Sequence, residues 1–142
     1  MAFSDRIDEF RKLGAEVLGA SIDSKFSHLA WVNTPRTRGG LGGIGYPLAS
    51  DITKNVSRDY GVLLEQAGIA LRGTFIIDPE GVIRNQTVQD LPIGRNIDDV
   101  LRVLQALQHS KQSGEVCPAN WTKGKEAIAP AKAAQWFEKN AK

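Results

Sequence analysis

One stretch constrains the fold of this chain more than any other. Leu71-Arg72-Gly73-Thr74-Phe75-Ile76-Ile77-Asp78 is rich in apolar and β-branched residues, and the turn Pro79-Glu80-Gly81 closes it. Residues 82–88 then return as an antiparallel partner. Such a hairpin needs helices to cover its apolar face, and the flanking sequence supplies them. Residues 15–22 and 47–50 read as further short strands. Ser4 and Asp5 suit the first turn of a helix that carries Ile7, Phe10, Arg11 and Leu13 and ends at Gly14. Asp23-Ser24 caps a second helix with Phe26, Leu29 and Ala30 on one face, widened by Trp31 and Val32. Asp51 leads into a third, ending at Tyr60-Gly61. Asn96, with Asp99 three residues on, caps a long helix whose stripe is Ile97, Val100, Leu101, Leu104 and Leu107. Residues 131–139 form a last short helix. Strands alternating with helices predict an α/β sheet covered on both faces, although the chain opens inside a helix with no strand before it.

Size and charge narrow the function. The 142 residues suit one soluble domain with a real core. Eighteen basic and sixteen acidic residues give +2, and the excess sits in the tail, where five lysines and two glutamates follow from Lys123. No basic stripe is interleaved with aromatics, so a nucleic-acid partner is not expected. The apolar runs are short, as in Phe75-Ile76-Ile77, so no membrane span is expected. Residues 1–6 lack the pattern of a secretory signal, which makes a cytoplasmic location the expectation. A single cysteine, Cys117, allows neither an internal disulfide nor a cysteine metal cluster. His28 and His109 have no ligand spacing, and neither metal nor cofactor is expected.

Each motif has a bland alternative. Gly40-Leu41-Gly42-Gly43-Ile44-Gly45 matches G-x-G-x-x-G, but it precedes Pro47 instead of a helix, so it reads as a flexible loop. Asp98 and Asp99 open a helix, where carboxylates complement the dipole. His28, beside Phe26 and Leu29, reads as a helix-surface or interface residue. Arg72 lies among apolar neighbours in the best strand, where a permanent cation needs an anion or a thiolate. Arg95 is its candidate companion; the alternative is two structural arginines, each paired with Asp or Glu. Cys117 sits in the turn-rich loop Gly114-Glu115-Val116-Cys117-Pro118, where a thiol is expected to be accessible.

Taken together, Phe3-Ser4-Asp5-Arg6, Asp23-Ser24-Lys25-Phe26-Ser27-His28-Leu29-Ala30-Trp31, Gly39-Gly40-Leu41-Gly42, residues 72–79 and Gly114-Glu115-Val116-Cys117-Pro118 resemble the typical 2-Cys peroxiredoxins in order along the whole chain. The resemblance implies an α/β thioredoxin-like peroxiredoxin fold with the N-terminal strands missing. Residues 1–112 would belong to the main domain, and residues 113–142 to a C-terminal arm with the resolving cysteine and a short helix. It implies reduction of hydrogen peroxide and alkyl hydroperoxides with electrons from thioredoxin, in a homodimer that builds decamers. By this resemblance Cys117 matches the resolving cysteine, which forms an intersubunit disulfide. Arg72 matches the arginine beside the peroxidatic thiolate, and Arg95 a second arginine supporting that pocket. Trp136-Phe137 stands where over-oxidation-sensitive members carry Tyr-Phe. The family's Pro-x-x-x-Thr-x-x-Cys motif would fall before residue 1, so the peroxidatic cysteine has no counterpart here. The expected outcome is a peroxiredoxin polypeptide with negligible turnover alone. The alternative is a non-catalytic oligomerisation or chaperone-like module that binds intact subunits.

Overall fold

In the computed structural model, which describes residues 1–141, the chain divides into two compact units. Unit 1 comprises residues 1–75 and 86–97; unit 2 comprises residues 76–85 and those from 98 onward.

Unit 1 opens with α1 (Ala2–Asp5) and α2 (Ile7–Lys12). The single helix expected here is split at Arg6, whose φ of −119° and ψ of 17° leave the helical region. Its guanidinium grips both Glu9 carboxylate oxygens, at 2.6 and 2.9 Å. Ile7 and Phe10 are buried, and the Phe3 ring lies 5.6 Å from that of Phe10.

The strand expected over residues 15–22 shortens to β1 (Gly19–Ser21), which pairs in parallel with β2 (Leu48–Ser50), Gly19 opposite Leu48. Between them lies α3 (Lys25–Asn33), capped as expected by Ser24, which accepts from the Ser27 amide at 3.1 Å. Its burial reverses the expectation. Phe26 and Leu29 are 73% and 59% exposed, whereas His28 is 5% exposed. His28 is therefore not a surface residue: its Nε2 lies 2.8 Å from Ser21 Oγ on β1, and this polar contact faces the helix inward. That apolar residues lie inside is a tendency with many exceptions, and α3 is one.

α4 (Asn55–Asp59) begins four residues later than expected, because the buried Asp51 acts on it from a distance. Its carboxylate accepts from the Val56 and Ser57 amides at 3.0 and 2.7 Å and from Ser57 Oγ at 2.7 Å. Burial alone would raise the Asp51 carboxyl; these hydrogen bonds outweigh it and hold the carboxyl below its ordinary value. A small antiparallel pair with no clear sequence signal follows, β3 (Leu63–Leu64) with β4 (Ile69–Ala70).

The expected hairpin is present as β5 (Arg72–Ile77) and β6 (Ile83–Gln89). Its closed end, in unit 2, is held by Asp78, which accepts from the Val82 amide at 2.8 Å and from Arg84 Nε at 2.6 Å. Among the described residues, the strands form three two-stranded ladders instead of one sheet, β1–β2, β3–β4 and β5–β6. Local pattern identifies strands singly; which of them share a ladder depends on contacts distant in sequence.

In unit 2, α5 (Ile97–Ser113) follows its expected span and, apart from Ile97, belongs wholly to this unit. Leu101 is buried, and Val100, Leu104 and Leu107 are half-buried. The chain then runs through a loop closed by reciprocal hydrogen bonds between Val116 and Ile128, at 2.9 and 2.8 Å. α6 (Ala133–Asn140) ends the described chain. Among the described residues, no helix is long and apolar enough to cross a membrane, and no group of three or more His, Cys, Asp or Glu is placed to hold a metal.

Candidate functional site

In unit 1, the open end of the β5–β6 pair brings two arginines together. Arg72 starts β5, and its Nε donates to the Leu91 carbonyl at 3.1 Å. Arg95 precedes α5. Its Nε donates to Thr74 Oγ1 at 3.1 Å, and its Nη2 to the Gly73 carbonyl at 3.0 Å. Gly73 is needed at this point: a Cβ there would lie 2.7 Å from the Phe75 ring. Neither guanidinium pairs with a carboxylate among the described residues, so the alternative of two arginines with acidic partners does not hold. Arg72 is also exposed, contrary to the burial its apolar neighbours suggested, because a permanent cation at a strand end keeps its water.

Burial, and then the neighbouring Arg72 charge, lower the Arg95 pKa below the ordinary arginine value. The half-buried Tyr46 faces the same charge: burial pushes its phenol up, and Arg95 draws it partly back down. Two like charges held close by neutral acceptors form a place where an anion is stabilised. Tyr46 escaped notice in the sequence; its only signal is an aromatic directly after the glycine-rich loop.

Cys117 lies in unit 2 and is half-buried, less open than its loop composition suggested. Its Sγ donates to the Ala106 carbonyl of α5 at 3.6 Å. Burial and the neighbouring Glu115 carboxylate push its thiol above the ordinary value, which favours the unreactive protonated form. Glu115 Oε2 lies 2.9 Å from His109 Nε2. The His109 ring stacks on Trp121 at 4.9 Å between centroids. Trp121 is 3% exposed and donates its Nε1–H to the Lys125 carbonyl at 2.9 Å. The His109 and Glu115 pairing was not foreseen; a histidine in the last helical turn before a Gly-Glu step was its only signal. On α6, Trp136 and Phe137 meet edge to face at 5.3 Å, with Phe137 largely exposed.

The glycine-rich segment is a loop, as expected, but it is not loose. The amides of Leu41, Gly42 and Gly43 donate to the carbonyls of Trp31, Thr34 and Val32 at 2.9–3.0 Å. These bonds occupy the N–H groups that a phosphate would need, and the loop leads into β2 instead of a helix. A Cβ on Gly40 would overlap the Thr34 carbonyl, which accounts for glycine at that position.

Comparison with known proteins places the chain in a family. Residues 1–86 match the AhpC/TSA family, and residues 106–138 match the C-terminal domain of 1-Cys peroxiredoxin. Peroxiredoxin-2 from Bos taurus is 57% identical over 130 residues, covering 92% of this chain and 65% of that protein. The mitochondrial thioredoxin-dependent peroxide reductase of Homo sapiens is 55% identical over 141 residues, covering 98% of this chain and 55% of that protein. The crystal structure of reduced Plasmodium vivax 2-Cys peroxiredoxin superposes with a TM-score of 0.93 at 43% identity, covering 96% of this chain and 72% of that one. The chain belongs to the AhpC/TSA family and has the thioredoxin-like peroxiredoxin fold. It spans about two thirds of the bovine relative and just over half of the human one.

Proposed function

We propose that this chain acts in thioredoxin-dependent reduction of hydrogen peroxide and alkyl hydroperoxides, with Cys117 as the resolving thiol and Arg72 and Arg95 as the cationic pocket. The observation that carries this reading is the pair of guanidiniums without a carboxylate at the end of β5. Such a pair stabilises a thiolate and the negative charge that builds on oxygen as a peroxide O–O bond breaks. In that reaction a thiol and a hydroperoxide become a sulfenic acid and an alcohol, or water when the peroxide is hydrogen peroxide. The sulfenic acid then condenses with the Cys117 thiol to give a disulfide and water, and a thioredoxin dithiol reduces the disulfide.

Cys117 is the one cysteine of the 142 residues, so the sulfenic acid it meets lies outside them. The raised pKa of Cys117 suits this role, since a docked, protonated thiol resists oxidation until its segment is released. Residues 113–142 then serve as the arm that delivers it, and the sites of action we assign are cytoplasmic and intersubunit.

The test mixes the purified chain with a peroxiredoxin subunit carrying a sulfenic acid. A mixed disulfide through Cys117, absent in Cys117→Ser, is expected. The chain alone, with thioredoxin, thioredoxin reductase and NADPH, should consume peroxide no faster than Cys117→Ser. Absence of the disulfide, or turnover by the chain alone, overturns the reading.

A second reading rests on α3, where Phe26, Leu29 and Trp31 are 73%, 59% and 45% exposed. So much apolar surface on one short helix suits a subunit contact of the kind that builds decamers, with the chain as a non-catalytic binding module. Sedimentation of Phe26→Glu against the unaltered chain separates the two: this reading requires an assembly that the substitution dissolves.

A further inference from the structure

We propose that His109 clamps the Cys117 segment onto α5, so that the thiol meets other molecules only when this clamp opens. The imidazole makes two unlike contacts at once: a polar one from Nε2 to Glu115 at 2.9 Å, and a stacked one from its face to Trp121 at 4.9 Å. Those two residues lie two positions before and four positions after Cys117. The thiol itself makes a long Sγ–Ala106 contact of 3.6 Å, one helical turn earlier on α5. One side chain of the helix therefore secures the loop on both sides of the sulfur. Glu115 and His109 are each 34% exposed, and Trp121 is 3% exposed, so the clamp has a dry end and a wet end.

Histidine meets both requirements. A phenylalanine would stack on the indole but leave Glu115 without its partner, and a glutamine would reach Glu115 but offer no aromatic face. Its contacts are with Glu115 and Trp121, on the segment that carries the thiol, which makes His109 a positioning residue.

The inference rests on reading Cys117 as a thiol that reacts, and its test uses no peroxide. Modification of Cys117 by 4,4′-dithiodipyridine is timed in the native chain and in the urea-unfolded chain, and the ratio of rates measures protection. His109→Ala should raise the native rate about tenfold, the equivalent of one net hydrogen bond or one aromatic stack. His109→Phe and His109→Gln should each recover part of the protection, a graded rescue that general loss of folding would not produce. Equal native rates in the unaltered chain and His109→Ala overturn the clamp, as does a failure of both conservative variants to improve on alanine. A clamp that passes while no mixed disulfide forms would refute the resolving role alone; the reverse would refute the clamp alone.

Discussion

Trp121→Ala should release the loop that carries Cys117. The indole is 3% exposed, so about 200 Å² of largely apolar surface leaves water, an upper bound of about 5 kcal/mol at 25 cal/mol per Å². The alanine Cβ keeps part of this. The variant also loses the stack on His109 and the hydrogen bond to the Lys125 carbonyl, each contributing about 1 kcal/mol. A net cost of about 4 kcal/mol agrees with large-to-small aromatic substitutions in general. Amide hydrogen exchange at Val116 and Ile128 is the direct assay, because their reciprocal bonds close the loop. At about 1.4 kcal/mol per decade, protection there should fall by roughly a thousandfold, or vanish. Trp121→Phe keeps the stack and most of the area and should cost about 1 kcal/mol. Phe137→Ala, at a ring 54% exposed, should change these amides by less than about 0.5 kcal/mol. Protection in Trp121→Ala within tenfold of the unaltered chain would refute the packing argument.

Alkylation of Cys117 by iodoacetamide should rise with pH to a midpoint above 9.0, and Glu115→Gln should move that midpoint down by removing the carboxylate charge; a midpoint at or below 9.0 in the unaltered chain would contradict the geometry. The Asp51 carboxyl lies lower in the folded chain than its ordinary 3.8, so the unfolded chain binds the extra proton as acid is added. Its stabilisation is complete above about 3.8 and is lost as pH falls through the folded value; urea midpoints should therefore drop more steeply with acid for the unaltered chain than for Asp51→Asn. Gly40→Ala pushes a methyl into the Thr34 carbonyl and should destabilise by about 2 kcal/mol, read as a lowered urea midpoint with unchanged slope.

Much of the local structure was legible because it depends on neighbours a few residues apart. The Ser24 cap, the long helix over Ile97–Ser113 and the hairpin closed at Pro79-Glu80-Gly81 all follow from spacing and turn chemistry. Its position marks Asp51 as a helix start, yet it caps α4 from outside, because its carboxylate reaches amides five and six residues ahead. The face of α3 was misjudged because the deciding contact, His28 with Ser21, links a helix to a strand. Arg72 and Arg95 stood out in the sequence as cations in need of an anion, whereas Tyr46, His109 and Glu115 did not, since each acquires its role only through a neighbour.

By itself, the sequence determined the longer elements, the single thiol available for chemistry, the two candidate arginines and the family resemblance. These depend on residue identity and short spacing, which no rearrangement of the chain can alter. Only the tertiary structure decided that the strands pair two by two, that the arginines rest on carbonyls and a hydroxyl instead of carboxylates, and that Cys117 lies against the Ala106 carbonyl with its thiol pushed above the ordinary value. Pairing, burial and charge proximity are properties of groups brought together across the chain, and they come into being only when it folds.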